Sequence, residues 1–266
     1  TFTHVIMTRF NLATPGREFA LRKQPGWLEG RFGLFERFCL PSITEQTCRN
    51  FQWIIYFDKD TPDTFKSRIE ELRSVFPFVP YYTGLFPSEG WRNSIRDTFA
   101  PDTPLLLTTR LDNDDALAND YVARLHATIT ETGLRPGAYN FRNGLIRRGS
   151  ALYALSHDSN AFFSWLEPVS DEMRTAPSIL HMKIGEHGMV YQIDGPPAWL
   201  QIVHETNVSN KVRGRRVGPE TALDRFPESA TSGIADLPVV IGMMDRLALE
   251  PIRVIRDQLV SMRARD

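Results

Sequence analysis

The sequence predicts an α/β fold in which helices cover both faces of a mostly parallel sheet. In the first half of the chain, apolar strand-like runs alternate with amphipathic helical segments four times. This alternation is typical of parallel strands joined by crossover helices. The 266 residues, 42% of them hydrophobic, suit one large domain because no linker-like segment interrupts the chain.

The elements of the first half follow from the period of their apolar residues. Strands are predicted at 2–11, 51–58, 78–84 and 104–110. Helices are predicted at 28–47 with a kink at Pro41, at 63–76, at 90–100, and at 117–133 with Gly133 as its C-cap.

The second half is less regular. A hairpin or meander is predicted at 137–155, helices at 159–167 and 177–188, and strands at 189–194 and 198–203.

Composition narrows the functional classes. The formal net charge of -1 favours neither nucleic acid nor an acidic polymer as partner. The two cysteines, Cys39 and Cys48, predict no disulfide framework and favour a reducing cytoplasm. No apolar stretch approaches 18 residues, and the chain opens on a strand-like segment without a signal peptide, so we expect a cytoplasmic protein.

Four acids follow the strand predicted at 104–110: Asp112, Asp114, Asp115 and Asp120. Carboxylates this close repel one another unless water solvates them or a cation lies between them. Removing one acid is therefore expected to leave stability unchanged or higher. As an alternative without metal, Asp114 or Asp115 caps the next helix.

Two familiar acidic motifs do not fit this cluster. An EF-hand would need other residues at Ala116, Leu117 and Ala123. The aspartyl-phosphatase motif follows a first strand, whereas this cluster follows about the fourth. What remains is an Asp-x-Asp pair that holds Mn²⁺ or Mg²⁺ against the phosphates of a nucleoside diphosphate.

Polar residues also follow the other predicted strands. They are Arg9 and Asn11, Asp58 and Asp60, and Tyr82 and Thr83. Ligands of parallel sheets bind beyond the carboxyl ends of the strands. We therefore expect these residues to share one edge with Asp112 and Asp114.

Three segments in sequence order resemble the GT-A glycosyltransferases, especially family 2, over residues 3–130. They are "FQWIIYFDKDTPD", "WRNSIRDTF" and "LLLTTRLDNDDAL". The segments "CLPSITEQTCRNFQWIIYFD" and "WLQIVHETNVSN" resemble the bacterial group described as "putative rhamnosyltransferases". The resemblance implies a nucleotide-sugar-binding half at 1–133 and an acceptor-side half at 134–205. A basic loop and helical tail would follow at 206–266.

The resemblance also implies roles for the donor-site residues. Asp58 would accept a hydrogen bond from N3–H of the base, with Arg9 and Asn11 in the same pocket, and Arg92 would reach the base or a phosphate. Asp112 would contact the ribose or metal-bound water, and Asp114 would bind the cation. The alternatives are surface ion pairs for Arg9 and Arg92, and helix capping for Asp60.

Two further regions carry candidates. His204, at the end of a late strand, would be the third metal ligand by the resemblance, or a structural histidine. The loop 210–220 carries Lys211, Arg213, Arg215 and Arg216. It is either a solvated loop or a lid whose arginines pair with the donor diphosphate.

The catalytic base does not follow from the family pattern. Family 2 enzymes place Glu-Asp about eleven residues before a strand-opening glycine, and counting back from Gly188 reaches Ala176 and Pro177. Asp171 and Glu172 are the nearest upstream acids and our candidates for the base, with ordinary surface acids as the alternative. His181 could serve in the core or position the acceptor.

The function expected is a metal-dependent, inverting glycosyltransferase. It would move a sugar, with rhamnose as the expected one, from a nucleotide-diphosphate donor to a glycan or lipid-linked acceptor. One rival is a nucleotidyltransferase, although its Gly-rich first loop is missing from "NLATPGRE". The other is a non-enzymatic, metal-dependent carbohydrate-binding module.

The C-terminal segment 250–266 reads as an amphipathic helix with apolar residues at Ile252, Ile255, Leu259 and Met262. We expect it to dock on the protein's own core. The alternative is peripheral contact with the anionic inner face of a membrane.

Overall fold

The computed structural model describes residues 1–12, 22, 24–84, 90–99, 101–204 and 211–263, and side chains only as far as Arg256 in the last helix. Most of "NLATPGRE", the segment after His204, and the side chains of Leu259 and Met262 lie outside the described residues.

A seven-stranded sheet forms the centre of the molecule, with strand order β10-β6-β9-β4-β1-β2-β3. Its strands are β1 (Phe2–Arg9), β2 (Gln52–Asp58), β3 (Val79–Thr83), β4 (Leu105–Asp112), β6 (Gly137–Phe141), β9 (Ser164–Pro168) and β10 (Val190–Ile193). The strands β3, β2, β1 and β4 are mutually parallel, and β6 is parallel to β10. Only β9 runs against its neighbours.

Helices cover both faces of this sheet, which confirms the predicted fold class. The helices are α1 (Trp27–Leu34), α2 (Leu40–Thr44), α3 (Asp63–Val75), α4 (Gly90–Thr98), α5 (Tyr121–Glu131), α6 (Ile184–His187), α7 (Glu228–Thr231), α8 (Val239–Met244) and α9 (Glu250–Arg263). Side chains of α1 to α3 and α5 pack on one face, and those of α4 on the other. A π-helical turn (Phe35–Cys39) joins α1 to α2 directly before Pro41, the predicted kink.

A smaller five-stranded sheet stands beside the first, in the order β12-β8-β7-β11-β5. It consists of β5 (Ala116–Leu117), β7 (Asn143–Arg148), β8 (Ala151–Ser156), β11 (Trp199–Ile202) and β12 (Arg215–Val217). The chain passes from the large sheet to the small one within residues 113–115. The acidic cluster therefore occupies the crossing between the two sheets.

Two predicted helices are wrong. Part of the segment 159–167 is strand β9, because residues 162–167 are buried on both faces and show no alternation that would distinguish a strand from a helix. The segment 177–188 forms only short 3₁₀ turns and the single-turn helix α6. The hairpin predicted within 137–155 is present as β7 and β8.

Both cysteines, Cys39 and Cys48, are free thiols. Among the described residues, no helix is long and apolar enough to cross a membrane.

The strand that leads to His204 depends on a close approach at Gly144. A Cβ added there would lie 2.0 Å from the ring of Trp199 in β11, and this indole is buried and donates a hydrogen bond to the Phe141 carbonyl at 2.9 Å. We expect Gly144→Ala to lower the free energy of unfolding by about 2 to 3 kcal/mol through overpacking. Chemical denaturation measures this. Gly33→Ala, with open space at its Cβ, should instead hold or gain about 1 kcal/mol; equal effects would contradict the packing argument.

The buried His4 and the half-buried His126 should make stability depend on pH. His4 Nδ1 lies 2.9 Å from His126 Nε2, and Cys48 Sγ lies 3.9 Å from His126 Nδ1. Burial, followed by the charge of His126, lowers the pKa of His4, and burial lowers the pKa of His126 to about 4. The unfolded chain therefore takes up protons first as pH falls below about 6.5, so stability present at pH 7 is lost toward pH 5.

We expect this loss to be about 2 kcal/mol, most of it from the fully buried His4, since solvent screens the partly exposed His126. Denaturation midpoints at pH 7, 6 and 5 measure it. A His4→Gln/His126→Gln variant should be less stable at pH 7 but change less with pH. The same pH profile in both proteins would show that other groups cause it.

Candidate functional site

The carboxyl ends of the parallel strands meet at one edge of the large sheet, as expected. Arg9 pairs in register with both Tyr56 and Asp112, and Asp58 pairs with Thr83. Parallel pairing thus brings the polar residues that end four strands into one row.

The first part of this row is a cavity of about 430 Å³ beside Asn11 and Asp58. Asn11 Oδ1 accepts a hydrogen bond from the Asp58 N–H at 2.9 Å, and Asp58 Oδ1 accepts one from the Asp60 N–H at 2.8 Å. Arg22 is paired with the other carboxylate oxygen of Asp58. Trp27 and Phe65 also line the cavity, so it combines aromatic faces with a fixed carboxylate, as a planar base would need.

Asp60 lines the same cavity and does not cap a helix. Helix α3 begins at Asp63, and its N-cap position is occupied by Pro62 without a side-chain cap. The capping alternative for Asp60 is therefore wrong.

Arg9 lies apart from Asn11, in a narrow cleft of about 30 Å³ that it shares with Trp91, Arg110 and Asp112. The structure thus separates two residues that we had expected in one pocket, because Asn11 is turned toward Asp58 and Thr61. Arg92 stands beside Trp91 on α4, and its buried Nε has no hydrogen-bond partner among the described residues. The nucleotide-binding roles of Arg9 and Arg92 stay predictions.

Asp112 is held by Arg110, whose Nη2 lies 2.9 Å from Asp112 Oδ2. Burial disfavours the charged form of this carboxyl, yet Arg110 and Arg9 outweigh burial and hold its pKa at about 2. Asp112 is therefore ionised at any pH near neutrality, with an arginine on each side.

Asp114 has a different environment. Its Oδ2 accepts a hydrogen bond from the buried Arg31 at 2.9 Å, and His204 Nε2 lies 2.9 Å from the same oxygen. The structure thus brings together Asp114 and His204, two residues 90 positions apart.

Asp115 supports the crossing between the sheets. Its Oδ1 accepts the Ile202 N–H at 2.8 Å. Burial, and then the charges of Asp114 and Asp112, raise the pKa of Asp115 well above its usual value. Since α5 begins at Tyr121 after Asp120, neither Asp114 nor Asp115 caps that helix, and the capping alternative for them is wrong.

The donor groups at Asp114 partly match the predicted cation site. A carboxylate oxygen and an imidazole nitrogen in contact are suitable ligands for Mn²⁺. Asp112 is turned to Arg110, and no three His, Cys, Asp or Glu side chains of the described residues form a group that could hold a metal. One or two protein ligands suffice for a cation shared with substrate phosphates. The pair Asp114 and His204 therefore fits such a shared ion, whereas the predicted trio with Asp112 is not assembled.

Arg213 and Arg215 of the basic loop have different environments. Arg213 is half-buried; burial is the main cause that lowers the pKa of His157 and of His181, and the charge of Arg213 adds to it at both rings. Arg215 is exposed at the start of β12, where it pairs with Ala154. Of these two arginines, Arg213 is the one whose charge acts on His157 and His181. The predicted contact of either arginine with diphosphate stays a prediction.

Asp171 and Glu172 do not join the row of site residues. The Asp171 side chain is 97% exposed and forms an ion pair with Arg96 on α4. Glu172 is exposed beside it. Both follow β9, whose last residue pairs with Leu105 at the opposite end of β4 from Asp112. No contact in the structure supports either acid as the catalytic base.

The segment at Ala176 and Pro177, where the family pattern places the catalytic base, does reach the site. Pro177 lines the cleft with Asp112 and Arg110, and His181 follows it. Burial, and then Arg110 and His157, lower the pKa of His181 to about 4, so its ring is neutral at pH 7.

Three residues of this site were missed in the sequence: Arg31, Arg110 and His157. His181 was named there only as a core or acceptor-positioning residue. A signal for Arg31 existed, because Trp27, Arg31 and Phe35 are one helical turn apart on a face that is otherwise apolar. A charged residue on a buried face usually has a partner.

A family model described as "Putative rhamnosyl transferase" matches residues 3–216. No curated protein gives a match.

Solved structures give more distant similarities. S. aureus TarS 1–349 is 9% identical, with a TM-score of 0.46, over 75% of this chain and 60% of that chain. The same S. aureus fragment in complex with UDP is 12% identical, with a TM-score of 0.46, over 76% of this chain and 60% of that one. A "putative nucleotide-diphospho-sugar transferase" from Desulfovibrio desulfuricans G20 is 11% identical, with a TM-score of 0.36, over 76% of this chain and 82% of that chain.

Proposed function

Since the chain belongs to this rhamnosyl transferase family and is therefore a glycosyltransferase, we propose that it transfers a sugar from a nucleoside-diphosphate donor in a cation-dependent reaction. The observation that carries the proposal is the contact of Asp114 with His204 at the end of a row that begins at the Asn11 and Asp58 cavity. Rhamnose is the sugar that the family description suggests.

The donor would lie along this row. Its base would enter the cavity of about 430 Å³, where the Asp60 N–H and Arg22 hold the Asp58 carboxylate and the Asn11 side chain accepts the Asp58 backbone N–H. Asp112 would meet the ribose, because it is ionised and lies between the base cavity and Asp114. Arg9 and Arg92 would neutralise charge on the donor.

Asp114 and His204 would hold the divalent cation together with oxygens of the diphosphate. Bound there, the cation would supply Lewis-acid stabilisation for the leaving diphosphate. Arg31 fixes the orientation of the Asp114 carboxylate through the bond at 2.9 Å. Arg213, next to His157 and His181, would approach the donor from the opposite side of the cleft.

The acceptor hydroxyl would approach from the side of Pro177 and His181. Inversion at the anomeric carbon requires a group there that accepts the hydroxyl proton during in-line attack. Asp171 and Glu172 remain the candidates from the sequence, and the neutral ring of His181 is the group that the structure brings nearer to Asp112. A glycan or a lipid-linked sugar is the acceptor class.

The test is a thermal-shift screen of UDP, GDP and TDP, each with and without Mn²⁺. A nucleotide at one hundred times its dissociation constant should add about 2.7 kcal/mol of stability, and more with Mn²⁺ than without it. If nucleotide binding is the same with and without Mn²⁺, the proposed role of the cation is refuted but the proposed donor site is not. Absence of binding by every nucleotide would refute the donor site and favour a carbohydrate-binding module.

Release of free nucleoside diphosphate from a nucleotide sugar then distinguishes the glycosyltransferase from the nucleotidyltransferase rival, which would release pyrophosphate when it forms the nucleotide sugar.

A further inference from the structure

A second and larger cavity opens beside His204. It has a volume of about 830 Å³ and is lined by Arg148, Lys211 and Arg256 together with the turn between β7 and β8. Three of its eight described lining residues carry a permanent positive charge, and none of the eight is an acid. Such a cavity favours an anionic group, and arginine favours phosphate in particular.

The helices next to this cavity are attached to the protein in an unusual way. They contact the body through polar groups: Asp245 Oδ2 accepts the Arg216 N–H at 2.9 Å, and Arg253 Nε donates to the Gly214 carbonyl at 3.0 Å. Arg256, which lines the cavity, donates to the Val212 carbonyl at 2.9 Å.

The apolar side chains of the same helices face away from the body. Ten large apolar residues between 239 and 255 are exposed, for example Leu247 at 75% and Ile252 at 62%. The expectation that Ile252 and Ile255 dock on the protein's own core is therefore wrong. An exposed apolar surface of this extent is typical of a binding site.

We propose that this end of the molecule binds a lipid phosphate, with the phosphate in the basic cavity and the hydrocarbon chain against the exposed apolar residues of α8, α9 and the π-helical turn that joins them (Asp245–Leu249). The basic cavity and the apolar surface are adjacent, as a lipid phosphate requires, because Arg256 of the cavity lies on α9, which also carries exposed apolar residues. A second copy of this chain would cover the apolar surface, but a ligand with an anionic group would use both the apolar surface and the basic cavity.

The position of the cavity indicates what the lipid phosphate does. His204 lines the cavity, and its Nε2 lies 2.9 Å from Asp114. A lipid phosphate bound there would place an attached sugar beside the donor site. The ligand is thus the lipid-linked acceptor, a step that rests on the proposed function, whereas the binding itself does not.

The experiment compares farnesyl phosphate with inorganic phosphate by calorimetry on the full chain. Farnesyl phosphate should bind at least tenfold more tightly. Leu247→Ser/Ile252→Ser should remove that difference, and Arg148→Gln/Lys211→Gln should weaken both ligands about tenfold. Val75→Ser is the matched control, because Val75 is equally exposed, at 64%, but lies on α3.

Equal affinity for the two phosphates, or no binding of either, would overturn the proposal. So would a dimer that Leu247→Ser/Ile252→Ser converts to a monomer without changing farnesyl phosphate affinity. Binding only to phosphatidylglycerol vesicles, and not to soluble farnesyl phosphate, would reassign the surface to a membrane headgroup. Titration of UDP and Mn²⁺ on Leu247→Ser/Ile252→Ser should be unchanged, so a failed donor site would be recognised separately.

Discussion

Asp114→Ala will lower the rate of sugar transfer by about a hundredfold to a thousandfold and remove the effect of Mn²⁺ on nucleotide binding. The reason is that Asp114 supplies the carboxylate in contact with His204, so under the proposed function its loss would leave one protein ligand for the cation. The magnitude is that of losing one fixed group that stabilises charge in a transition state. Steady-state rates and calorimetric titration with Mn²⁺ measure the two effects.

The same substitution will also destabilise the fold. Repulsion among the acids alone predicted no loss, but Arg31 reverses that expectation. The Arg31 side chain is only 8% exposed and its Nη1 is bonded to Asp114. Alanine at position 114 would therefore leave the buried guanidinium of Arg31 without its carboxylate. A loss of about 3 kcal/mol in the free energy of unfolding is expected.

A double variant separates the two effects. Arg31→Met/Asp114→Leu replaces the buried ion pair by apolar side chains and should recover most of the stability, but none of the Mn²⁺ response. Recovery of the Mn²⁺ response in this variant, or a wild-type response in Asp114→Ala, would show that the cation binds elsewhere.

Asp58→Ala will weaken nucleotide binding by about tenfold to a hundredfold, with or without Mn²⁺. The expected hydrogen bond runs from the base to a charged carboxylate, and such bonds contribute about 1.5 to 3 kcal/mol. The Asp60 N–H and Arg22 hold this carboxylate in the cavity, and Asn11 Oδ1 accepts the Asp58 backbone N–H. Calorimetric titration of the nucleotide chosen by the screen measures the loss.

Asp63→Asn is the control for Asp58. Asp63 is an exposed acid at the start of α3, paired with Lys66 and outside the cavity. Its substitution should change nucleotide affinity less than twofold. If Asp58→Ala behaves like Asp63→Asn, the cavity beside Asn11 is not the base site.

Local patterns were sufficient for the parallel part of the sheet. Strands β1 to β4 and helices α3 to α5 have clear apolar periods, and each parallel strand leads into a helix. This order is also why the sequence alone predicts residues as distant as Arg9 and Asp112 on the same edge of the sheet. The hairpin of β7 and β8 was also predictable from a local pattern, because its turn carries Gly149.

Contacts between distant segments were not predictable in this way. Strand β9 is buried on both faces, which removes the alternation that identifies a strand. Arg31 and Asp114 are 83 residues apart, and nothing near either residue specifies the other. The separation of Arg9 from Asn11 depends on a hydrogen bond from Asn11 to Thr61, 50 residues away.

The passage of the chain between its two sheets at 113–115 has a consequence for folding order. Asp114 meets His204 and Arg31 only after β11 has joined the small sheet and α1 has packed on the large one. Contacts between residues 83 and 90 positions apart form slowly, because a long loop must close first. In refolding experiments, helical structure should therefore recover first, and the ability to bind a cation with nucleotide should return among the last native properties.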